Sequence, residues 1–505
     1  MDGMRAIRRI HPERSAFLVL LFVTSLGGAL RVVNLGAKSF WIDELLSLCH
    51  AENIQTLQSL FEAACGNAHP PLYFLLLRVW RIYGDGESYL RLLSVAFGIA
   101  AIPTTYLLGR ELSRKSTGLI AAGFVAISPF LLLYDRELRM YSALTFLTTC
   151  SVYCFLKAVR EGRLLYWVLY TALSGVSVYV HYNTFLVLLF EWIFFLVVCR
   201  GRRELWVKAI VSQATLAIAF AAWLPVLLLQ LRNPHLFTLD APDKFPVTVG
   251  GWGAKLLYLF YALSLGQTLM PWRATAVIGM LAFAGVATVG FLRFRRDRVA
   301  SIFAGLYLGV PILAGFYIYQ SMPRYYVFLA PVYFVVLGEG ILAFANSRWW
   351  IVITGLMLFP IVVSVANYYG NRDFHILATV DPWREVGQYV ERGVRSGDCI
   401  VAIGSFRPLG YYTGNFAGFS RPIYGTDFRE VTDCLSGGRG RQVWLVGADP
   451  ALEEMTEEAR RWLDEHYVRL SERKFYQDPN YLMKRRLFRK RFLEYRISVY
   501  SYRQK

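Results

Sequence analysis

Charge is in short supply in this 505-residue chain, and acidic charge most of all. Charged residues make up 18% of the sequence, Asp and Glu number 36 against 54 Lys and Arg, and 55% of positions are hydrophobic. Soluble domains carry about 25% charged residues, so a soluble globular chain is excluded. A secretory cleavage site is also missing after the first apolar run, which therefore reads as a retained anchor. No internal repeat at a fixed period is visible, and ionisable residues in mid-span are scarce. Both absences argue against a transporter. The formal charge of +18 would suit nucleic acid, but the basic residues stand in short clusters between apolar runs, as orienting charges do. A nucleic-acid partner is therefore not expected, and a lipid bilayer is.

What is present is a series of apolar segments of about 16–23 residues, near the length that crosses a ~30 Å hydrocarbon core. We read eleven spans, near 15–33, 91–109, 118–134, 141–159, 164–181, 183–199, 208–231, 274–292, 299–319, 325–345 and 349–369. Arg5, Arg8, Arg9 and Arg14 precede the first, which places the amino terminus in the cytoplasm. The clusters "GRELSRK" (109–115), "KAVREGR" (157–163), "CRGRRELWVK" (199–208) and "RFRRDR" (293–298) then all fall on the cytoplasmic side. Counting the apolar segment 255–270 as a further span would put the last cluster on the far side, so it reads as a re-entrant or interfacial helix.

The expected architecture is thus a polytopic α-helical membrane domain, residues 1–369, followed by a small external α/β domain, residues 370–505. In the tail, "DPWREVGQYVERGVRSGDCIVAIG" (381–404) reads as an amphipathic helix, a Gly-Asp turn and a buried strand. Residues 441–449 and 493–502 read as further strands and 453–467 as a helix. Cys49 and Cys65 share the first external loop, and Cys399 and Cys434 share the tail. Two disulfides are permitted on an oxidising face, and chance placement of buried thiols is the equal alternative.

The external side also collects ionisable residues. Asp43 and Glu44 stand in "SFWIDELLS" directly after the first span, and the loop continues through His69, Pro70 and Pro71 to Arg91. "YDRELRMYS" (134–142) adds Asp135, Arg136, Glu137, Arg139 and Tyr141, and Arg324 and Tyr325 stand between the ninth and tenth spans. Singly, charges at helix mouths are interface anchors. Together, acids and arginines in three separated loops fit a site that binds an anionic lipid headgroup and does acid–base chemistry beside it. Arginine's planar fork makes paired, charge-assisted hydrogen bonds to phosphate.

At these residues the chain resembles the bacterial glycosyltransferase family 39-like proteins of the GT-C fold, relatives of the protein O-mannosyltransferases and the lipid A aminoarabinose transferases. The resemblance rests on "WIDE", "HPPLYFLLLRVW", "GDGESYLRLLS", "YDRELRMYS" and "PRYYVFLAP", and it runs along essentially the whole chain. It implies an inverting transferase of the bacterial cytoplasmic membrane that moves a sugar from a polyprenyl-phosphate carrier to an acceptor hydroxyl of a glycan, lipid or protein. It further implies Asp43 as the base, Glu44 as its orienting partner, and Glu137 or Asp135 as a second acid. His69, Arg91, Arg139, Tyr141, Arg324 and Tyr325 would bind the carrier phosphate. A divalent metal ion is a possible addition, held by Asp43 and Glu137 if present. The rival readings are a flippase for a lipid-linked sugar and a tail domain that recruits a partner to a membrane anchor.

Overall fold

The computed structural model describes residues 12–233, 249–317, 322–370, 372, 382–395, 398–403, 406–413, 442–448, 457–477 and 496–505. The chain divides into two compact units, residues 1–35 with 50–375, and residues 36–49 with 376–505. The boundary expected near 370 adjoins residues outside the described ones, and the segment carrying Asp43 and Glu44 groups with the tail. Hydrogen bonds within the second unit explain this. The Phe40 amide donates to the Tyr412 hydroxyl at 2.7 Å. The Arg384 amide donates to Ser39 Oγ at 3.1 Å, and its guanidinium to the Gly36 carbonyl at 2.9 Å.

The first unit is helical. In order it comprises α1 (Pro12–Val32), the end of α2 (Ile42–Asn53), α3 (Leu57–Cys65), α4 (Leu72–Arg81), α5 (Glu87–Leu112), α6 (Lys115–Ile127), α7 (Pro129–Asp135) and α8 (Tyr141–Glu161). These are followed by α9 (Leu164–Val180), α10 (Thr184–Val198), α11 (Arg203–Ala221) and α12 (Leu224–Arg232). Helices Val249–Leu265, Ala274–Phe294, Arg298–Tyr317, Ala330–Ala343 and Trp350–Tyr369 complete it, with a 3-10 turn at Pro323–Leu329.

Among the described residues, eight helices are long and apolar enough to cross a membrane, or nine if the bent pair α6–α7 is one span. The expected eleven are reached only by adding α9 and α10, apolar helices of 17 and 15 residues. The long helices carry outward-facing large apolar side chains such as Phe22, Ile218, Leu281 and Val362, each more than 60% exposed. Water would not tolerate so many, whereas lipid does. The chain is a multi-pass membrane protein.

Local sequence explains the breaks. Pro129 has no amide hydrogen, and Ser128 caps α7 by accepting from the Leu131 amide, so the expected span 118–134 bends by 58° there. Pro225 likewise begins α12, and the expected span 208–231 is two helices. Helix Val249–Leu265 ends at Gly266, whose φ of +74° and contact with Pro129 leave no room for a side chain. Helices Ala274–Phe294 and Ala330–Ala343 pack through a reciprocal pair, Gly290 on the Val336 carbonyl and Gly340 on the Val286 carbonyl, the small-residue contact that lets helix backbones meet closely.

The basic clusters share one end of this bundle. Arg114 and Arg293 pair with Glu339 at 3.2 and 3.6 Å, and Ser113 donates to the same carboxylate. Arg160 pairs with Glu111 at 3.0 Å, and Arg202 and Lys208 donate to the carbonyls of Val159 and Gly162.

The second unit contains a four-stranded sheet, order β1-β2-β4-β3, from β1 (Cys399–Ile403), β2 (Gln442–Ala448), β3 (Tyr467–Gln477) and β4 (Arg496–Gln504). β1 and β2 are parallel, with helix Phe406–Thr413 in the crossover, and the other pairings are antiparallel. Helix Trp383–Gly393 lays Trp383, Val386 and Val390 against Trp444, Val446, Ile497 and Val499. Gly397 of the expected Gly-Asp turn lies outside the described residues, and Asp398 accepts from the Gln442 amide and Trp444 Nε1. β3 was not legible in the sequence. It is an edge strand with two register shifts and exposed Arg and Lys, a composition that guards edges and erases the apolar alternation. Cys65 is a free thiol, and Cys434 lies outside the described residues.

Asp135 belongs to the fold of the first unit. Its carboxylate pairs with Arg31 of α1 at 2.7 Å, with the arginine fully buried. Arg31 also donates to the carbonyls of Gly27, Val125 and Ala126, so one guanidinium joins α1, α6 and α7. Removing one partner of such a pair costs about 3–5 kcal/mol, while replacing both by apolar groups is often neutral. Asp135→Asn is expected to lower the thermal stability of the purified protein sharply, and Arg31→Met with Asp135→Leu to restore most of it. Unfolding curves in detergent measure both.

Candidate functional site

Four connections of the first unit meet at one end of the bundle. The link between α3 and α4 brings His69, the turn between α7 and α8 brings Arg139 and Tyr141, the junction of α9 and α10 brings His181, and the 3-10 turn brings Arg324 and Tyr325. Arg139 Nη2 donates to His69 Nε2 at 3.1 Å. The rings of His69 and His181 lie 5.2 Å apart, and His181 also faces Tyr141 at 6.1 Å and Tyr325 at 6.3 Å. Asn183 Nδ2 donates to the Tyr325 carbonyl at 2.6 Å and so holds the 3-10 turn against this group. Arg139 and His181 are buried. Burial and the neighbouring Arg139, with His181, Arg324 and His50, hold the His69 pKa well below the usual histidine range. Its ring is neutral at physiological pH and accepts from Arg139.

The turn that carries Arg139 is fixed from three sides. Ser94, in the "RLLS" segment of α5, donates to the Arg139 carbonyl at 3.1 Å and is bonded to the Tyr73 hydroxyl at 2.7 Å. Asp135 is committed to Arg31, as described above. Arg136 reaches the end of α1, donating to the carbonyls of Leu30, Val33 and Asn34 at 2.9, 2.6 and 3.0 Å. Its guanidinium lies over the rings of Tyr368 and Tyr369. A cation at a helix C-terminus satisfies orphan carbonyls and opposes the dipole, so Arg136 sets where the chain leaves α1. Arg91 serves the same exit, donating to the Leu35 carbonyl at 3.0 Å with Glu87 3.9 Å away.

Glu137 is buried and lies within electrostatic reach of Tyr134 and Tyr368. Tyr134 donates to Gln267 Oε1 at 2.6 Å, and Gln267 donates to the Tyr258 hydroxyl at 2.9 Å. The segment 255–270 thus contributes two polar side chains to the group around Tyr134. Of the two acids in "YDRE", Asp135 is held in an ion pair and Glu137 stands among tyrosines.

In the second unit, Asp43 and Glu44 open helix α2. Glu44 is 1% exposed and accepts from the Trp41 amide at 3.2 Å, the back half of a capping box. Asp43, one residue earlier, is half-buried. Their roles separate on this geometry. Glu44 shapes the helix start, and Asp43 keeps access to solvent. No group of three or more His, Cys, Asp and Glu side chains among the described residues could hold a metal ion.

His181, Asn183, Arg31 and Gln267 were not singled out from the sequence. For His181 a signal existed: by the same alternation of spans, "VHYN" falls at an external reversal together with His69 and Arg139. Arg31 and Gln267 lie inside or beside apolar runs and carry no such mark.

Residues 68–229 match the family model of the dolichyl-phosphate-mannose-protein mannosyltransferases. No curated protein matches the sequence. Solved structures do match in fold. ArnT from Cupriavidus metallidurans in the apo state aligns over 96% of this chain and 98% of its own, at 12% identity and a TM-score of 0.58. The same protein bound to undecaprenyl phosphate gives 95%, 97%, 13% and 0.57. The oligosaccharyltransferase of Archaeoglobus fulgidus, in complex with Zn and sulfate, aligns over 92% of this chain and 72% of its own, at 15% identity and a TM-score of 0.54. The chain therefore has the GT-C fold of these membrane glycosyltransferases, and its residues 68–229 carry the pattern of the mannosyltransferase family.

Proposed function

We propose that this protein is an inverting membrane glycosyltransferase that moves a sugar from a polyprenyl-phosphate carrier to an acceptor hydroxyl. The observation that carries this reading is the convergence of Arg139, Arg324 and His69 in one partly buried cluster, with Arg139 and His69 inside the segment that matches the mannosyltransferase family. Both ArnT bound to undecaprenyl phosphate and the oligosaccharyltransferase share the fold, which supports a lipid-linked donor.

In the proposed reaction the acceptor oxygen attacks the anomeric carbon. Asp43 takes the hydroxyl proton as the new bond forms, and the bond from the anomeric carbon to the phosphate oxygen breaks. The lipid phosphate departs as a stable anion and needs no acid. Arg139 and Arg324 stabilise its developing charge with fixed donors in a site of low dielectric. Glu44 holds the start of α2, and with it the placement of Asp43. Arg136 and Arg91 fix the preceding chain where it leaves α1.

The reading is tested by transfer of radiolabelled sugar from a polyprenyl-phosphate donor by the purified protein, with no other enzyme present. Asp43→Asn is expected to lower the rate by about 10²–10⁴, the worth of a general base, without loss of thermal stability. Normal turnover in that variant would remove Asp43 from the mechanism.

Arg139→Ala and Arg324→Ala are each expected to weaken carrier binding by roughly 1.5–3 kcal/mol, the range for hydrogen bonds to charged groups. Lysine should rescue only in part because it lacks the planar fork. Unchanged affinity in both alanine variants would return these arginines to an anchoring role.

The same reading places the amino terminus in the cytoplasm and the chain after about residue 370 outside. A reporter fused at Lys505 should be active only in its extracytoplasmic form, and cytoplasmic activity in a functional fusion would reverse this orientation.

A further inference from the structure

His181 is held in one tautomer with its donor unused. The Asn183 amide donates to His181 Nδ1 at 3.1 Å, so Nδ1 is an acceptor and the neutral ring carries its proton on Nε2. Nε2 is buried, and no hydrogen-bond partner for it exists among the described residues. Buried donors are almost always satisfied, and an exception calls for a reason. The neighbours restrict what can satisfy it. His69 Nε2 already accepts from Arg139, the rings of Tyr141 and Tyr325 lie tilted to the imidazole with centroids 6.1 and 6.3 Å away, and Arg139 and Arg324 are cations within electrostatic reach of the imidazole. A donor surrounded by donors, in a pocket of positive charge, is complementary to an oxygen that accepts from several directions at once.

We infer that His181 Nε2–H is a ligand of the lipid-carrier phosphate, with the Asn183 amide fixing the tautomer that makes it a donor. This rests on the proposed function and extends the phosphate site to the junction of α9 and α10. Arg139 and Arg324 bring fixed charge, and His181 adds a neutral donor whose geometry is set by the backbone. Because Asn183 also holds the Tyr325 carbonyl, the same residue that orients His181 anchors the turn bearing Arg324.

Two substitutions separate this role from a structural one. Asparagine reproduces the Nδ1 acceptor for the Asn183 amide and lacks a group at Nε2. Glutamine places an N–H near the Nε2 position and gives up the Nδ1 contact. Binding of a polyprenyl monophosphate to the purified full-length protein is measured for wild type, His181→Asn and His181→Gln, with inorganic phosphate and polyprenol in parallel and thermal stability as the folding check. The expected order is near wild-type affinity for His181→Gln and about 10- to 100-fold weaker binding for His181→Asn, the worth of a hydrogen bond to a charged group. Polyprenol should bind equally to all three.

The reverse order, equal affinity in all three, or equal loss in both folded variants would overturn the inference. If wild type ignores the polyprenyl phosphate but binds inorganic phosphate with the expected order, the anion ligand stands and the lipid-linked donor falls. If it binds neither, both fall. A measurement that needs no variant is the imidazole ¹⁵N spectrum of the wild-type protein, in which the protonated Nε2 signal of His181 should shift on adding the carrier. An unmoved signal at saturation would also overturn the assignment.

Discussion

A charge inside an apolar bundle has to be paired or bonded, because burial of an uncompensated ion costs several kcal/mol. Much of the first unit follows from that constraint. Arg31, fully buried, takes Asp135, one backbone carbonyl of its own helix and two of α6. That pairing fixes the end of α7, and the turn that follows is then short enough to leave only defined positions for Arg136, Glu137 and Arg139. Arg136 goes back to the open carbonyls of α1. Arg139 points the other way, to His69. One turn of chain thus distributes three cation-related tasks: it closes a helix, completes a core ion pair and supplies a ligand to the cluster.

The candidate chemistry is divided in the same manner between helix starts and helix ends. Glu44 and Asp43 are adjacent in sequence, yet the first turn of α2 gives them different lives, one capping the Trp41 amide and one left half-exposed. At the junction of α9 and α10, the reversal is tight enough that the Asn183 amide reaches the His181 ring. In both places an ordinary requirement of helix termination, satisfying orphan amides, also determines which atom of a functional side chain remains available.

The sequence by itself determined the membrane class, the approximate spans, the small α/β unit and the loops in which ionisable residues gather. Apolar length and the distribution of Arg and Lys are local quantities, and they survive folding unchanged. "DE" at the start of α2, "HPPLY" at the start of α4 and "RLLS" within α5 could be read for the same reason, as each is a short motif with a local structural consequence. Other features needed the tertiary structure. That Asp135 serves Arg31 and Glu137 does not depends on a partner 104 residues away. That residues 36–49 group with the tail depends on Tyr412 and Arg384. The exposed edge strand β3 depends on pairing with β4, and the tautomer of His181 on a backbone amide two residues on. Composition and periodicity record how a segment meets lipid or water, whereas the partner of a buried polar group is chosen by packing between segments distant in the chain.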